Sequence, residues 1–127
     1  MKVGCVQLTP LFGRPAENVA RAQEMFRGAG ADLLVLPELF TTGYLFADRE
    51  EAWSLSEPVP DGPSTRSLLA AAREEGLLLC FGIAERSGER LYNSSVLLGP
   101  EGVLLVYRKV HLFIDEFDVF DPGARGF

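Results

Sequence analysis

Three largely apolar runs lie along the first two-thirds of the chain, over residues 3–8, 32–36 and 77–83. Runs of this kind are typical of strands that are covered on both faces, as in sheets that lie between other layers. Pro37 ends the second run, because proline cannot donate a hydrogen bond to a neighbouring strand. The pattern therefore predicts three buried strands, and the first of them is expected to lie inside a sheet.

The segments between these runs have apolar residues at helical spacing. A helix is predicted over Pro15–Arg27, where the proline suits the first turn. A second helix is predicted over Ser64–Glu75, with Ser64 as the residue that caps it. Gly76 follows as a left-handed stop signal, so both helices have defined ends.

The remaining segments break this alternation. Residues 40–63 are irregular and rich in glycine, proline and acidic residues, with a short helix indicated near residues 49–55. Long loops of this kind are often functional. Residues 90–98 and 103–109 are predicted as two strands whose four-residue connection forces antiparallel pairing. The order β-α-β-α-β followed by a hairpin predicts an α/β fold.

The composition agrees with a globular α/β protein. The 127 residues are 47% hydrophobic and 24% charged, which is typical of a soluble domain that buries a core. No apolar run approaches the ~18 residues that span a bilayer, and the chain starts without a charged leader or an apolar stretch of signal length. We therefore expect a cytoplasmic protein with no membrane partner.

Charge and cysteine content exclude two further classes. The net charge of -6 is spread along the chain, without the basic cluster that binds phosphates, so nucleic acid is not an expected partner. Cys5 and Cys80 both lie in apolar runs. We expect them to be buried, reduced thiols and not members of a disulfide framework.

Three residues could carry chemistry by their position. Glu38 lies just beyond an apolar strand, at the edge where open α/β sheets bind ligands, and Lys109 ends the fifth predicted strand. By position alone, each is more often a solvated charge. His111, the only histidine, is expected to pack or hydrogen-bond and not to catalyse. No ligand spacing or glycine-rich phosphate loop implies a metal or a cofactor.

Two motifs favour a functional role for these residues over a solvated one, because the motifs occur together and in order. The first is Leu34–Phe40 (LVLPELF) followed by Thr42-Gly43-Tyr44, and the second is Tyr107–Leu112 (YRKVHL). They resemble the glutamate and lysine segments of the nitrilase superfamily of carbon-nitrogen hydrolases. Leu91–Ser94 and the opening Val6-Gln7 are similar to the family's hairpin and first strand, so the resemblance covers the whole chain.

The resemblance implies an α-β-β-α sandwich, of which this chain would supply the first half. It implies Glu38 as the general base, Lys109 as the cation against the tetrahedral oxyanion, and Glu116 as a second glutamate that positions lysine and substrate. Tyr44 would contact the substrate. The implied reaction is attack of a cysteine thiolate on a small amide, nitrile or N-carbamoyl carbon, followed by hydrolysis of the thioester. The resemblance also implies a homodimer.

The family's nucleophilic cysteine lies beyond the Pro-Gly turn, and the sequence stops before that segment. Neither Cys5 nor Cys80 has the matching context, so residues 1–127 are expected to form a partial domain without amidase activity of its own. A non-catalytic fragment or interaction module that keeps the first half of the fold stays open as an alternative. Isochorismatase-like hydrolases also use an acid, a lysine and a cysteine, but the two motifs do not fit their pattern.

Overall fold

The computed structural model describes residues 1–124. Its strands are β1 (Val3–Cys5), β2 (Leu33–Val35), β3 (Leu78–Ser87), β4 (Arg90–Gly99) and β5 (Gly102–Arg108). Its helices are α1 (Pro15–Phe26), α2 (Arg49–Leu55), α3 (Pro63–Glu75) and α4 (Glu116–Val119). The predicted α/β class is confirmed, and the short helix expected near residues 49–55 is α2. Within the described residues, no helix is long and apolar enough to cross a bilayer.

All five strands belong to one mixed sheet whose spatial order, β1-β2-β3-β4-β5, equals their order along the chain. Strands β1, β2 and β3 run parallel, while β3-β4 and β4-β5 are antiparallel pairs. The parallel pairs need crossover connections, which contain α1 in the first case and α2 and α3 in the second. The carboxyl end of β2, at Val35, pairs with Cys80 near the start of the long strand β3, which continues to Ser87.

The start of α3 differs from its prediction. The helix begins at Pro63 with Gly62 in the N-cap position, and Ser64 lies inside its first turn. Ser64 donates its backbone N–H to Glu57 Oε2 over 2.8 Å and its hydroxyl to Glu57 Oε1 over 2.6 Å. A carboxylate from the preceding loop thus satisfies an N–H group that has no partner within the helix, which is the task expected of the serine. Gly76 ends α3 in the left-handed conformation, as predicted.

The main core lies between one face of the sheet and the helices α1 and α3. Alternate residues of each strand point into it, as the pleat of a strand requires. Its largest fully buried side chains come from both layers and from the loop after β2: Phe26, Phe40, Leu68, Leu79, Phe81, Ile83, Val96 and Leu98.

A second, smaller cluster joins the segment after β2 to the segment after β5. Leu39 and Ala52 of the first segment pack with Leu112, Val119 and Phe120 of the second. Burial of these side chains orders two irregular segments against each other. The cluster matters for function because both segments carry predicted site residues.

The other face of the sheet, called the open face below, is not covered by these helices. Cross-strand partners share a face, and the residues on this one are exposed or half-buried: Val3, Cys5, Leu33, Val35, Leu78, Cys80, Leu97 and Leu105. The expectations that the first strand lies inside the sheet and that both cysteines are buried are therefore wrong. Strand β1 is an edge strand, Cys5 is exposed and Cys80 is half-buried, because the helices cover one face only.

Candidate active site

Glu38 lies where the chain turns sharply after β2. Its backbone crosses directly over β3 at Gly82, whose N–H donates to the carbonyl of Pro37 over 3.3 Å. A Cβ atom on Gly82 would lie 2.6 Å from the Cα of Glu38, so only glycine allows this approach. The next residue, Leu39, is fully buried and has a φ of 46°. Such a left-handed backbone at a non-glycine residue costs on the order of 1–3 kcal/mol and is characteristic of functional sites.

Lys109 directly follows β5, and its peptide groups are held on both sides. Its N–H donates to the carbonyl of Asn93 over 2.9 Å, and its own carbonyl accepts from the N–H of Gly123 over 2.9 Å. A Cβ atom on Gly123 would lie 2.9 Å from the carbonyl carbon of Arg108. The Pro-Gly turn therefore packs against the backbone that carries the lysine, and it fixes the direction of the lysine side chain.

The three residues predicted as catalytic meet at one point. Lys109 Nζ lies 2.9 Å from Glu38 Oε1 and 2.8 Å from Glu116 Oε2. Glu116 begins α4 and is buried, and its Oε2 also accepts the N–H of Phe113 over 2.8 Å. Glu38 is 71 positions from the lysine along the chain and Glu116 is 7 positions from it, yet both carboxylates contact the same ammonium group.

Asn93 is a fourth member of this arrangement, and it was not predicted as a site residue, since it entered only through the resemblance of the hairpin. Its Nδ2 donates to Glu38 Oε1 over 2.6 Å and to Glu116 Oε1 over 2.7 Å. The side chain is buried in β4, although asparagine is depleted in strands. Its low strand propensity is only a weak signal in the sequence, because the polar residues Ser94 and Ser95 follow it in the same strand.

The electrostatics of the site favour the charged forms of acid and base. Burial raises the pKa of Glu38, but hydrogen bonds from Tyr44, Lys109 and Asn93 outweigh it, so the net shift is downward. For Lys109, burial lowers the pKa, and the hydrogen bonds to Glu116 and Glu38 outweigh it in the upward direction. At neutral pH the site therefore holds a carboxylate and an ammonium in contact.

Tyr44, expected to contact a substrate, lies beside this ion cluster. Its hydroxyl is hydrogen-bonded to the carboxylate of Glu38. Burial, followed by this hydrogen bond and the negative charge of Glu38, raises the pKa of the Tyr44 phenol to about 12. The hydroxyl is therefore a donor at neutral pH, while the residue as a whole is 45% exposed and is accessible to a ligand.

A cavity of about 430 Å³ extends from the ion cluster over the open face. Glu38, Asn93 and Lys109 line one end of it, and Cys80 and His111 line other parts. His111 is exposed and therefore not packed in the core, while its expected hydrogen-bonding role stays a prediction. Residues 1–124 contain no group of three or more His, Cys, Asp or Glu side chains placed to hold a metal ion.

The arrangement can accept a proton at Glu38 and stabilise a negative charge at Lys109, within a cavity large enough for a small molecule. The family model of carbon-nitrogen hydrolases matches residues 2–126 of the chain. The chain therefore belongs to the carbon-nitrogen hydrolase family, and the resemblance to the nitrilase superfamily is confirmed.

Individual relatives agree with this assignment. A nitrilase of Pyrococcus abyssi is 43% identical over 130 residues, which cover 100% of this chain and 50% of that protein. An (R)-stereoselective amidase of a Pseudomonas species is 38% identical over 127 residues, which cover 98% of this chain and 45% of that protein. The chain thus spans about half the length of the curated relatives it matches.

Solved structures share the fold. A CN-hydrolase superfamily protein of Xanthomonas campestris superposes with a TM-score of 0.83 at 27% identity. The match covers 94% of this chain and 45% of that protein. The five-stranded sheet with its helices is therefore part of the carbon-nitrogen hydrolase fold.

Proposed function

We propose that this chain supplies the general base, the oxyanion-stabilising cation and the second glutamate of a hydrolase that acts on non-peptide carbon-nitrogen bonds. Small amides, nitriles or N-carbamoyl compounds are the substrate class. The nucleophilic cysteine comes from the part of the protein that the relatives have beyond this chain. The observation that carries the proposal is the single ammonium group of Lys109 in contact with both Glu38 and Glu116.

Glu38 acts as the base in this proposal. A free thiol has a pKa of about 8.5, so a nucleophilic cysteine needs a proton acceptor or a cation beside it. Glu38 takes the thiol proton while sulfur bonds to the amide carbon, and the carbonyl π pair moves to oxygen. When the C–N bond breaks, the proton passes from Glu38 to the leaving nitrogen. Glu38 then takes a proton from water as water attacks the thioester carbon and the carbonyl π pair moves to oxygen. When this second intermediate collapses, the C–S bond breaks and the proton passes from Glu38 to the sulfur.

Lys109 stabilises the oxyanion in both tetrahedral intermediates. An ammonium group has three N–H donors, and two of them bind Glu38 and Glu116 among the described residues. The third is left to point at the oxygen on which charge develops, and it acts without reorganisation because the two carboxylates already fix the ammonium. The upward shift of the Lys109 pKa keeps this donor protonated throughout the working pH range.

Glu116 and Asn93 position the other two groups. Glu116 binds Lys109 through Oε2 and accepts from Asn93 through Oε1, so it does not itself need to reach the substrate. Asn93 also donates its Nδ2–H to Oε1 of Glu38, which fixes the orientation of that carboxylate. Together they fix the separation of base and cation, and Tyr44 directs the same carboxylate from the exposed side.

A second function is favoured by a different observation. The open face is apolar and accessible, with Val3 and Leu105 exposed, and large apolar surfaces of this kind bind other proteins. The chain alone would then be a non-catalytic interaction module. Its partner could be a second copy of the chain, or the segment that relatives carry beyond this region.

The catalytic proposal is tested by following ammonia release from small amides. The chain alone is expected to show no turnover, while a protein that continues it with the segment present in its relatives is active. In that longer protein, Glu38→Gln is expected to lower kcat by roughly 10²–10⁴, the usual effect of losing a general base.

Lys109→Ala is expected to have a comparable effect, whereas Glu101→Gln, an exposed carboxylate in the β4-β5 turn, serves as the matched control. Full activity of Glu38→Gln would contradict the role of the base. Turnover by the chain alone that survives Cys5→Ala and Cys80→Ala but is lost with Glu38→Ala would contradict an external nucleophile.

A further inference from the structure

Two cavities share Tyr44 and Leu45 as lining residues, and each has one carboxylate of the ion cluster in its wall. One, of about 630 Å³, lies between residues 44–49 and residues 113–120 and has Glu116 in its wall. The other, of about 460 Å³, has Glu38 in its wall. Both carboxylates of the cluster are thus reached from cavities that share the same two lining residues, Tyr44 and Leu45.

The walls of the larger cavity carry bulky apolar side chains that point toward solvent. Leu45 is 87% exposed, Phe113 is 70% exposed and Ile114 is 66% exposed. Isolated exposed apolar residues are common, but these come from two segments that face each other across one cavity beside a candidate active site. Small-molecule sites are typically concave and mostly apolar, with a few polar groups that orient the ligand.

The two segments are fixed to each other before any ligand binds. Arg49 donates to the carbonyl of Val119 over 2.7 Å and to Asp121 Oδ2 over 2.6 Å. Phe46 packs on Phe120 with ring centroids 5.8 Å apart. The cavity walls are therefore preorganised, which limits the entropy lost when a ligand is bound.

The charges around this cavity are unfavourable for an anionic ligand. Arg49 is the only cation among the described residues that line either cavity, and its guanidinium already binds Asp121 and a carbonyl. Lys109 lines neither cavity, and its ammonium group is held by the Glu38 and Glu116 carboxylates. Asp48, Asp115 and Asp118 line the larger cavity. A carboxylate placed here would lose water and meet like charges, which is costly without a cation as partner.

We propose that the cavity between residues 44–49 and 113–120 binds the group attached to the scissile carbon, and that this group is uncharged and apolar. The substrate class is therefore amides of neutral aliphatic or aryl-aliphatic acids, and monoamides of dicarboxylic acids are excluded. This inference rests on the proposed hydrolase function. Leu45, which lines both cavities, is its principal specificity-determining residue.

The test compares kcat/KM for hexanamide and phenylacetamide with that for glutaramate, in the longer protein described above. The neutral amides are expected to be preferred by about tenfold or more. Equal or greater kcat/KM for glutaramate overturns the inference while leaving the hydrolase function intact. Absence of turnover on every amide overturns the proposed function and this inference with it.

A charge variant tests the location of the site. Leu45→Arg places a cation in both cavities and is expected to shift the ratio of kcat/KM toward glutaramate by about tenfold or more, mainly through KM. The matched control is Leu104→Arg, at a similarly apolar position that is 56% exposed on β5 and away from the cavities. If Leu45→Arg leaves the ratio of kcat/KM between the neutral amides and glutaramate unchanged, the assignment of this cavity as the specificity site is wrong. This holds also if the variant changes the oligomeric state of the protein.

Discussion

Asn93 contributes a single nitrogen to the site, yet that nitrogen bridges the two carboxylates that hold Lys109. It is buried, and it donates to both Glu38 and Glu116. Without this donor, two closely placed carboxylate oxygens would face each other with only the ammonium group between them. The residue thus lowers the repulsion between like charges that the lysine alone must otherwise balance.

Asn93→Ala is therefore expected to destabilise the chain by ~1–3 kcal/mol, because two acceptors lose their donor in a buried setting. The free energy of unfolding in urea measures this. Ser95→Ala, two residues further along β4 on the same face, is the control and is expected to change stability much less. A change no larger than that of the control would show that water replaces the amide without cost.

Glu38 and Lys109 could be predicted as site residues from the sequence, because each lies in a recognisable motif and the motifs occur in order. Asn93 could not be ranked above its neighbours, because its role depends on which face of β4 meets the end of β2. Strand register decides this, and register follows from contacts between distant segments. Cys5 was misjudged for a related reason, since the apolar pattern does not show which face will be covered.

Among the elements, helix ends were predicted more closely than strand ends. The helices α1 and α3 end near glycines, and Gly76 has the left-handed conformation that its position requires. Strand β3 runs four residues beyond its predicted end, because Glu85 continues it as a buried residue. Arg108 and Ser94 satisfy this carboxylate, so burial of a charge that the pattern excludes becomes possible.

Asp121, which follows α4, connects this segment to α2 and β4 by hydrogen bonds. Its Oδ2 accepts from Arg49 and from the N–H of Leu91, over 2.6 Å and 2.9 Å. Burial raises the pKa of Asp121, but the hydrogen bond from Leu91 and the hydrogen bond and charge of Arg49 outweigh it, so the net shift is downward. Protonation of Asp121 therefore weakens the contact that holds the segment carrying Glu116.

A group with a lowered pKa in the folded state stabilises the fold above its unfolded pKa, about 3.9 for aspartate, and this contribution is lost as the pH falls through the folded value. Asp121→Asn is thus expected to be less stable than the parent near pH 7, with a difference that shrinks on acidification. Thermal unfolding between neutral and acidic pH measures it.

Asp118→Asn, an exposed position in α4, is the control for loss of one negative charge. If the stability difference between Asp121→Asn and the parent were the same at all pH values, ionisation of Asp121 would not be coupled to folding and the prediction would be wrong. Lys109 acts in the opposite range, because its raised pKa gives a contribution that is lost only as the pH rises through the folded value.

At the scale of the whole molecule, the sheet has one face packed on helices and one open face. The α/β class and the order of elements follow from the sequence, because each apolar run and each amphipathic segment is short and well separated. The asymmetry of the two faces does not follow, since near-continuous apolar runs are equally compatible with two covered faces.

The open face predicts association of the isolated chain. Apolar area removed from water contributes about 25 cal/mol per Å², so contact between two open faces is favourable. Sedimentation velocity is expected to show a concentration-dependent dimer that Leu105→Lys weakens, because this residue is 60% exposed on β5. Met25→Lys, at an exposed apolar position of α1, is the control. A monomer at all concentrations would contradict the interaction-module reading.

The agreement between strand order in space and along the chain has a consequence for synthesis on the ribosome. Each strand from β2 onward pairs with the strand made immediately before it. The sheet can therefore grow in step with elongation, without waiting for a later strand to be inserted between earlier ones. Glu38 is made early, but its partners Lys109 and Glu116 emerge only after β5. The charged cluster is thus the last part of this segment to assemble.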